Sequence, residues 1–260
     1  MKITAVIPVR YWSSRFPGKP LANFRGKSIL EYVYQQVVAA TLIDDIFVAT
    51  DDERIEKAAQ AFGAPVFKTR SEHRCGSERV AELAQNIGSD IFMNIQGDQP
   101  FISASVIDQV ASVLINEPTL EMSSAATPFR NVEDFLNPNM VKVLCDQQDT
   151  AIYFSRYPVP FKNSGWKKSK NWSDYFGAYG LPDLENAAVK KHIGIYGYRR
   201  SVVAKYLEWH PSFLEVQEDL EQLRAIEQGV RIRMVFSSQD SPSIDTPSDL
   251  EKLHGAKTSR

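Results

Sequence analysis

Short apolar runs rich in β-branched or aromatic residues alternate with amphipathic helical patterns along the first part of the chain, and this alternation most narrows the folds open to it. "ITAVIP", "IFVAT", "PVFK" and "DIFMNIQ" read as strands, separated by "SILEYVYQQVVAA", "ERIEKAAQAF" and "SERVAELAQNI" as helices. Strand–helix–strand succession builds right-handed crossovers, and therefore a mainly parallel sheet covered by helices on both faces. Ligands of such sheets bind beyond the carboxyl ends of the strands. Two polar segments fall there: "RYWSSRFPGKP" after "VIPV", and "GDQP" after "IFMNIQ".

The second half is less regular, with strands expected at "VKVLCD", "AIYFS", "HIGIYGY" and "IRMVF" and helices at "SVVAKYLEW" and "LEVQEDLEQLRAIEQ". Between them lies a polar stretch dotted with aromatics, too long for an ordinary connection, which reads as a lid, a dimer element or a mobile insertion. At 260 residues the chain can bury one substantial core, and one domain is the favoured reading. The 30 Lys and Arg nearly balance the 32 Asp and Glu, so no global field grips nucleic acid or an anionic membrane, and any affinity for anions is local. Cys75 and Cys145 lack both a CxxC spacing and a ligating His neighbour, which argues against zinc and against a disulfide framework and leaves plain thiols. No apolar run reads as a signal peptide or a membrane span, so a cytoplasmic protein is the expectation.

The opening loop carries Arg10, Ser13, Ser14, Arg15 and Lys19 around a glycine. Backbone amides of a Ser/Gly turn at a strand end form an anion cradle, and the cations can screen a polyphosphate; alone, the segment reads equally as solvated basic surface. "RFPGKPL" lacks the GxxxxGK[ST] spacing, so a P-loop is not supported. Asp98 ends a strand and can hold Mg2+, although Gly97-Asp98 alone reads as a turn. Asp245, before Thr-Pro, reads by itself as a helix cap; a carboxylate converging on Asp98 would instead complete a magnesium site. On the helix 214–228, at about 100° per residue, Val216, Leu220 and Leu223 form an apolar stripe and Glu215, Glu218, Glu221 and Gln222 a lysine-free acidic side. That side suits solvent, sugar hydroxyls or a cation. Arg156 at a strand end suits a carboxylate, and Lys191, His192 and Tyr196 share a strand start; as isolated residues these read as structural.

Together and in order, "IPVRYWSSRFPGKPLANFRGKSI", "VATDDERI", "TRSEHRCGSERVAE", "NIQGDQPFI", "NPNMVKV", "IYFSRYPVPF", "KHIGIYGYRR", "LEQLR" and "IDTPSDLE" resemble the CMP-Kdo synthetases, the 3-deoxy-manno-octulosonate cytidylyltransferases, over nearly the whole chain. The resemblance implies an α/β, three-layer, nucleotide-diphospho-sugar transferase-like fold with a mainly parallel mixed sheet. It implies one nucleotidyltransferase domain over 1–260 with an insertion at 162–190 near the sugar side, and a homodimer acting on CTP and a 3-deoxy-2-ulosonic acid with Mg2+. In that reading the anomeric 2-hydroxyl attacks the α-phosphorus of CTP, releasing pyrophosphate and forming a CMP-sugar for lipopolysaccharide or capsule assembly.

Carried onto matching positions, the likeness makes Arg10 and Lys19 triphosphate-screening cations, with Ser13, Ser14 and Arg15 shaping the loop and Arg79 near the cytidine and phosphates. Lys19, Asp98 and Asp245 become the catalytic set, Asp98 and Asp245 the Mg2+ ligands, and Gln96, Arg156, His192, Tyr196, Glu221 and Gln222 the sugar-acid pocket. Kdo leads as acceptor, with an amino-substituted or other ulosonic acid behind it and a nucleotide-sugar glycosyltransferase as the rival class. Trp12, where the family mostly has a small residue, either closes a wall of the nucleotide pocket or packs outward. Cys75-Gly76-Ser77 and Gln99 are further departures from the commoner family pattern.

Overall fold

The buried run Ile3–Pro8 forms strand β1, flanked by parallel neighbours β4 (Asp45–Thr50) and β6 (Ile91–Ile95). The structure is a computed structural model and describes residues 1–13, 16–177, 189–244 and 246–255. β5 (Val66–Lys68) extends the sheet beyond β4; on the other side come β10 (Val189–Arg199), β7 (Met122–Thr127) and β11 (Ile232–Phe236), giving the order β11-β7-β10-β6-β1-β4-β5. Only β10 runs against its neighbours in this order, so the sheet is mixed but mainly parallel. The edge pair β8 (Lys142–Cys145) and β9 (Ala151–Ser155) joins β10 through β8, and β2 (Asn23–Phe24) and β3 (Lys27–Ser28) form a small separate ladder.

Helices cover both faces, as the alternation requires. α1 (Ile29–Val38), α2 (Glu53–Ala61) and α4 (Ala104–Asn116) bury Leu30, Val33, Ile55, Val106 and Val110 against one face. α3 (Gly76–Asn86) and the later helices bury Val80, Leu83, Val203 and Leu223 against the other. Local chemistry starts these helices: Ser28 accepts from the Glu31 N–H, and Asp52 caps α2 through the Arg54 N–H. No helix among the described residues is long and apolar enough to cross a membrane.

Three local expectations change. The segment 214–228 forms two short helices, Phe213–Glu218 and Gln222–Glu227, separated by Asp219 at φ 52°. The left-handed residue redirects the chain so that Leu220 and Leu223 go inward while Val216 stays exposed, and the continuous stripe dissolves. The helix in "SVVAKYLEW" is only Arg200–Val203, followed by turns. Strand β7, "MSSAAT", carries no sequence signal, because Ser and Ala are weak strand formers. It is a strand through its ladders to β10 and β11, and it packs closely on β10: a Cβ on Gly197 would stand 2.6 Å from Ser123 Oγ. In the 162–190 segment, Asn163–Trp166 and Trp172–Gly177 are short helices, and Phe161 stacks on Tyr175 at 5.1 Å. Residues 178–188 of it lie outside the described residues.

Candidate active site

A cleft of about 920 Å3 opens where β1 and β6 end and antiparallel β10 begins. Arg10, Ser13, Lys19, Arg79, Gln96, Asp98, Arg156, His192, Tyr196, Glu221 and Gln222 all line it. Every described residue of the expected site is therefore gathered at one place, from positions far apart in the chain. Ser14, Arg15 and Asp245 lie outside the described residues.

At one side of the cleft, the loop after β1 folds back through the Gly18 N–H donating to the Tyr11 carbonyl at 2.9 Å. Gly18 is needed there, since φ is 73° and a Cβ would meet Tyr11 Oη at 3.2 Å. The turn delivers the nearly buried Lys19 to Asp98, Nζ to Oδ2 at 2.7 Å. Gly97 lets the end of β6 pass the end of β1, where a Cβ would lie 2.9 Å from Val9 Cγ2. The Ile244 N–H donates to the Asp98 backbone carbonyl at 3.1 Å, which ties that segment to the chain just after β6. Arg79, on α3, is nearly buried, held by Asp51 at 2.7 Å and by Thr69 Oγ1. Trp12 packs outward: it is 68% exposed, lies edge-on to Tyr11 and is absent from the cleft wall.

On the other side, Glu221 accepts from the Ser77 N–H at 2.8 Å and from Gln96 Nε2 at 3.1 Å, orienting Gln96. Tyr196 Oη donates to Gln222 Oε1 at 2.9 Å, leaving Gln222 Nε2 buried and without a partner among the described residues. Ser124 Oγ donates to the Ile195 carbonyl at 2.7 Å and lies 3.0 Å from His192 Nε2. With the hydroxyl proton committed, Nε2 is the donor of that contact and Nδ1 carries the lone pair. Burial pushes the His192 pKa down to about 3, so the ring is neutral. Burial first, then Glu221, raises the Cys75 thiol well above its ordinary value, and burial lifts Cys145 to about 12; both stay protonated, unlinked thiols.

The acidic side of 214–228 is spent internally. Glu215 and Glu78 grip the buried Arg224 at 2.6 and 2.9 Å, and Glu218 accepts from Tyr153, Ser155 and the Arg156 N–H. Arg156 donates its guanidinium to the carbonyls of Glu218, Asp219 and Pro138, so it buttresses the wall it lines. Lys191, Gln99, Ser241 and Arg224 also line the cleft without having been placed in the expected site. The sequence signal for Lys191 was its adjacency to His192; for the Arg224 cluster, the acidic run itself.

No group of three or more His, Cys, Asp or Glu among the described residues could hold a metal unaided. One strand-end carboxylate still fits Mg2+, which takes one or two carboxylates together with substrate phosphates.

A mainly parallel sheet ending in a basic loop, a strand-end carboxylate and a polar cleft defines a nucleotidyltransferase-like α/β protein. The cytidylyltransferase family matches residues 4–232. The 3-deoxy-manno-octulosonate cytidylyltransferase of Pelobacter propionicus is 43% identical, covering 97% of this chain and 96% of its own, and that of Alteromonas mediterranea is 45% identical, covering 97% and 98%. A solved CMP:2-keto-3-deoxy-manno-octonic acid synthetase complexed with CTP superposes with a TM-score of 0.84 at 34% identity, covering 98% of this chain and 97% of that one. The chain belongs to the 3-deoxy-manno-octulosonate cytidylyltransferase family.

Proposed function

We propose that this enzyme transfers CMP from CTP to the anomeric 2-hydroxyl of Kdo, giving CMP-Kdo and pyrophosphate. The observation that carries the reading is the convergence of the loop cations, the Lys19–Asp98 pair and the Gln96, His192 and Tyr196 wall on one cleft. Family membership and the likeness to a synthetase complexed with CTP support the choice of nucleotide.

In this reading Arg10, Ser13, Ser14, Arg15 and Lys19 take the triphosphate, and Arg79, pinned by Asp51, forms the wall near the cytidine. The acceptor oxygen bonds to the α-phosphorus, the bond to the bridging oxygen breaks, pyrophosphate leaves with that electron pair, and the proton of the attacking hydroxyl passes to solvent. Little covalent work falls to the protein; transfer rests on positioning and on screening phosphate charge. Asp98, with Asp245, would hold Mg2+, which when bound supplies further neutralisation of the phosphates. Gln96, Arg156, His192, Tyr196, Glu221 and Gln222 form the acceptor pocket, and neutral His192 and Gln96 meet hydroxyls without competing for a proton.

The test is pyrophosphate release from CTP and Kdo in Mg2+, with Asp98→Asn beside the parent. Expected are turnover by the parent and a loss of roughly two to three orders of magnitude in kcat for the variant, with its fold intact by circular dichroism. Near-parental turnover of Asp98→Asn at saturating Mg2+ would remove Asp98 from the machinery. No release with Kdo, alongside release with another ulosonic acid, would move the acceptor.

A further inference from the structure

Six buried side-chain polar atoms lack a hydrogen-bond partner among the described residues, and four of them belong to segments leaving one end of the sheet: Gln99 Oε1, Thr127 Oγ1, Asp240 Oδ1 and Ser241 Oγ. Gln99 follows β6, Thr127 ends β7, and Asp240 and Ser241 follow β11. Two of the four are placed beside Lys191. Thr127 stands opposite Lys191 in the β7–β10 ladder, and Lys191 Nζ meets Asp240 Oδ2 at 2.8 Å. Gln99 packs its amide on Gly194 of the same strand, where an added Cβ would meet Nε2 at 2.7 Å. Lys191, Gln99 and Ser241, all less than a tenth exposed, line the cleft.

Buried polar groups are normally satisfied, so the orphans on Gln99 and Ser241 in the cleft wall, with another on the Asp240 that holds Lys191, mark a place built for something not in the chain. The balance of the corner says what. Two of the unmet oxygens, on Gln99 and Asp240, can only accept, and the two hydroxyls can accept as well as donate, so the missing partner brings hydrogen-bond donors. Its charge is restricted too. Among the described residues the Asp240 carboxylate is already neutralised by the Lys191 ammonium, so a second cation would face Lys191 without a counter-charge from that pair. Neutral hydroxyls satisfy both conditions.

We infer that the cleft wall of Gln99 and Ser241 beside Lys191, whose ammonium Asp240 holds, is a specificity subsite that receives a hydroxyl-bearing part of the acceptor sugar acid. The inference rests on the acceptor being a 3-deoxy-2-ulosonic acid, and it adds residues that read which one. It also accounts for Gln99 in place of the commoner glutamate: an anionic side chain there would shift the neutral corner towards cationic substituents.

The test is a substrate-by-variant cycle. Parent enzyme, Ser241→Ala and Gln99→Leu are assayed for pyrophosphate release with Kdo, with analogues lacking one hydroxyl at a time, and with an amino-substituted analogue. In the parent, one or more deoxy analogues should lose roughly 3- to 10-fold in kcat/KM for each hydrogen bond removed. That penalty should shrink toward unity in Ser241→Ala or Gln99→Leu, because the partner is already gone, while the KM for CTP moves less than about twofold. The amino analogue should be a poorer substrate of the parent than Kdo. Deoxy penalties that are identical in parent and variants would show a corner filled by ordered water only and overturn the inference, with the cytidylyltransferase reading intact. An amino analogue that outpaces Kdo would overturn the neutral-donor assignment. Absence of turnover with every ulosonic acid would instead sink the functional reading on which the inference stands. Ser241→Ala, the smaller change, keeps the test valid if Gln99→Leu misfolds.

Discussion

His192 shows how one residue acquires a role through what surrounds it. Its Nε2–H is spent on Ser124, the ring packs against Phe154 and Tyr196, and burial holds its pKa near 3 against an ordinary 6.5. A depressed histidine pKa makes stability depend on pH in one direction. Between about pH 6.5 and 3 the unfolded chain binds a proton that the fold refuses, so stability falls as pH falls through that window, by up to about 1.4 kcal/mol per unit. Above about 6.5 both states are neutral and the effect vanishes. Urea unfolding at pH 7 and pH 5 should show this slope in the parent and a shallower one in His192→Gln; equal slopes would mean that the ring protonates in the folded state. The residue itself stood out in the sequence, but its proton assignment did not, because Ser124 lies on a strand that the sequence does not announce. Asp98 and Lys19 were both legible, one by its strand end and the other by its basic loop. Their 2.7 Å contact was not.

At the scale of elements, the acidic segment 214–228 is the instructive case. As a helical wheel it suggests a face awaiting a ligand. Folded, it is two helices hinged at Asp219, and most of its carboxylates hold the wall together. Arg224 is almost wholly buried, with Glu215 from the preceding helix and Glu78 from α3 bound to the same guanidinium. Removing that cation leaves two carboxylates buried without their counter-charge, which typically costs about 3–5 kcal/mol. Arg224→Met should therefore lower the denaturation midpoint sharply, whereas Glu215→Gln with Glu78→Gln in the same chain should recover part of the loss. A midpoint unchanged in Arg224→Met would show that water reaches the carboxylates. The wheel misled because helical periodicity assumes an unbroken helix, and a left-handed break is stabilised by distant partners.

Across the whole molecule, the cleft exists because β10 enters the sheet antiparallel between β6 and β7 and carries Lys191, His192 and Tyr196 to the edge where β1 and β6 end. That insertion depends on small side chains in β7. Gly197→Ala would push a methyl to 2.6 Å from Ser123 Oγ and 2.9 Å from Leu114 Cδ1, an overpacking expected to cost roughly 1–3 kcal/mol. Adding Ser123→Gly should relieve part of that cost in chemical denaturation, and an unaltered midpoint for Gly197→Ala alone would show that the strand has slack. The layered α/β class, the parallel strands of the first half, the family and eleven of the residues lining the cleft were legible in the sequence. The class and strands follow from periodicity, whereas the family and the site residues follow from the resemblance carried by ordered motifs, since the same residues taken singly read as turn, cap or structural. Tertiary contacts settled which strand runs backwards, that "MSSAAT" is a strand, that the acidic helix breaks, and that Gln99 and Ser241 line the same cleft as Lys191. Each of these depends on contacts between segments far apart in the chain, where packing and burial override what any short stretch prefers on its own.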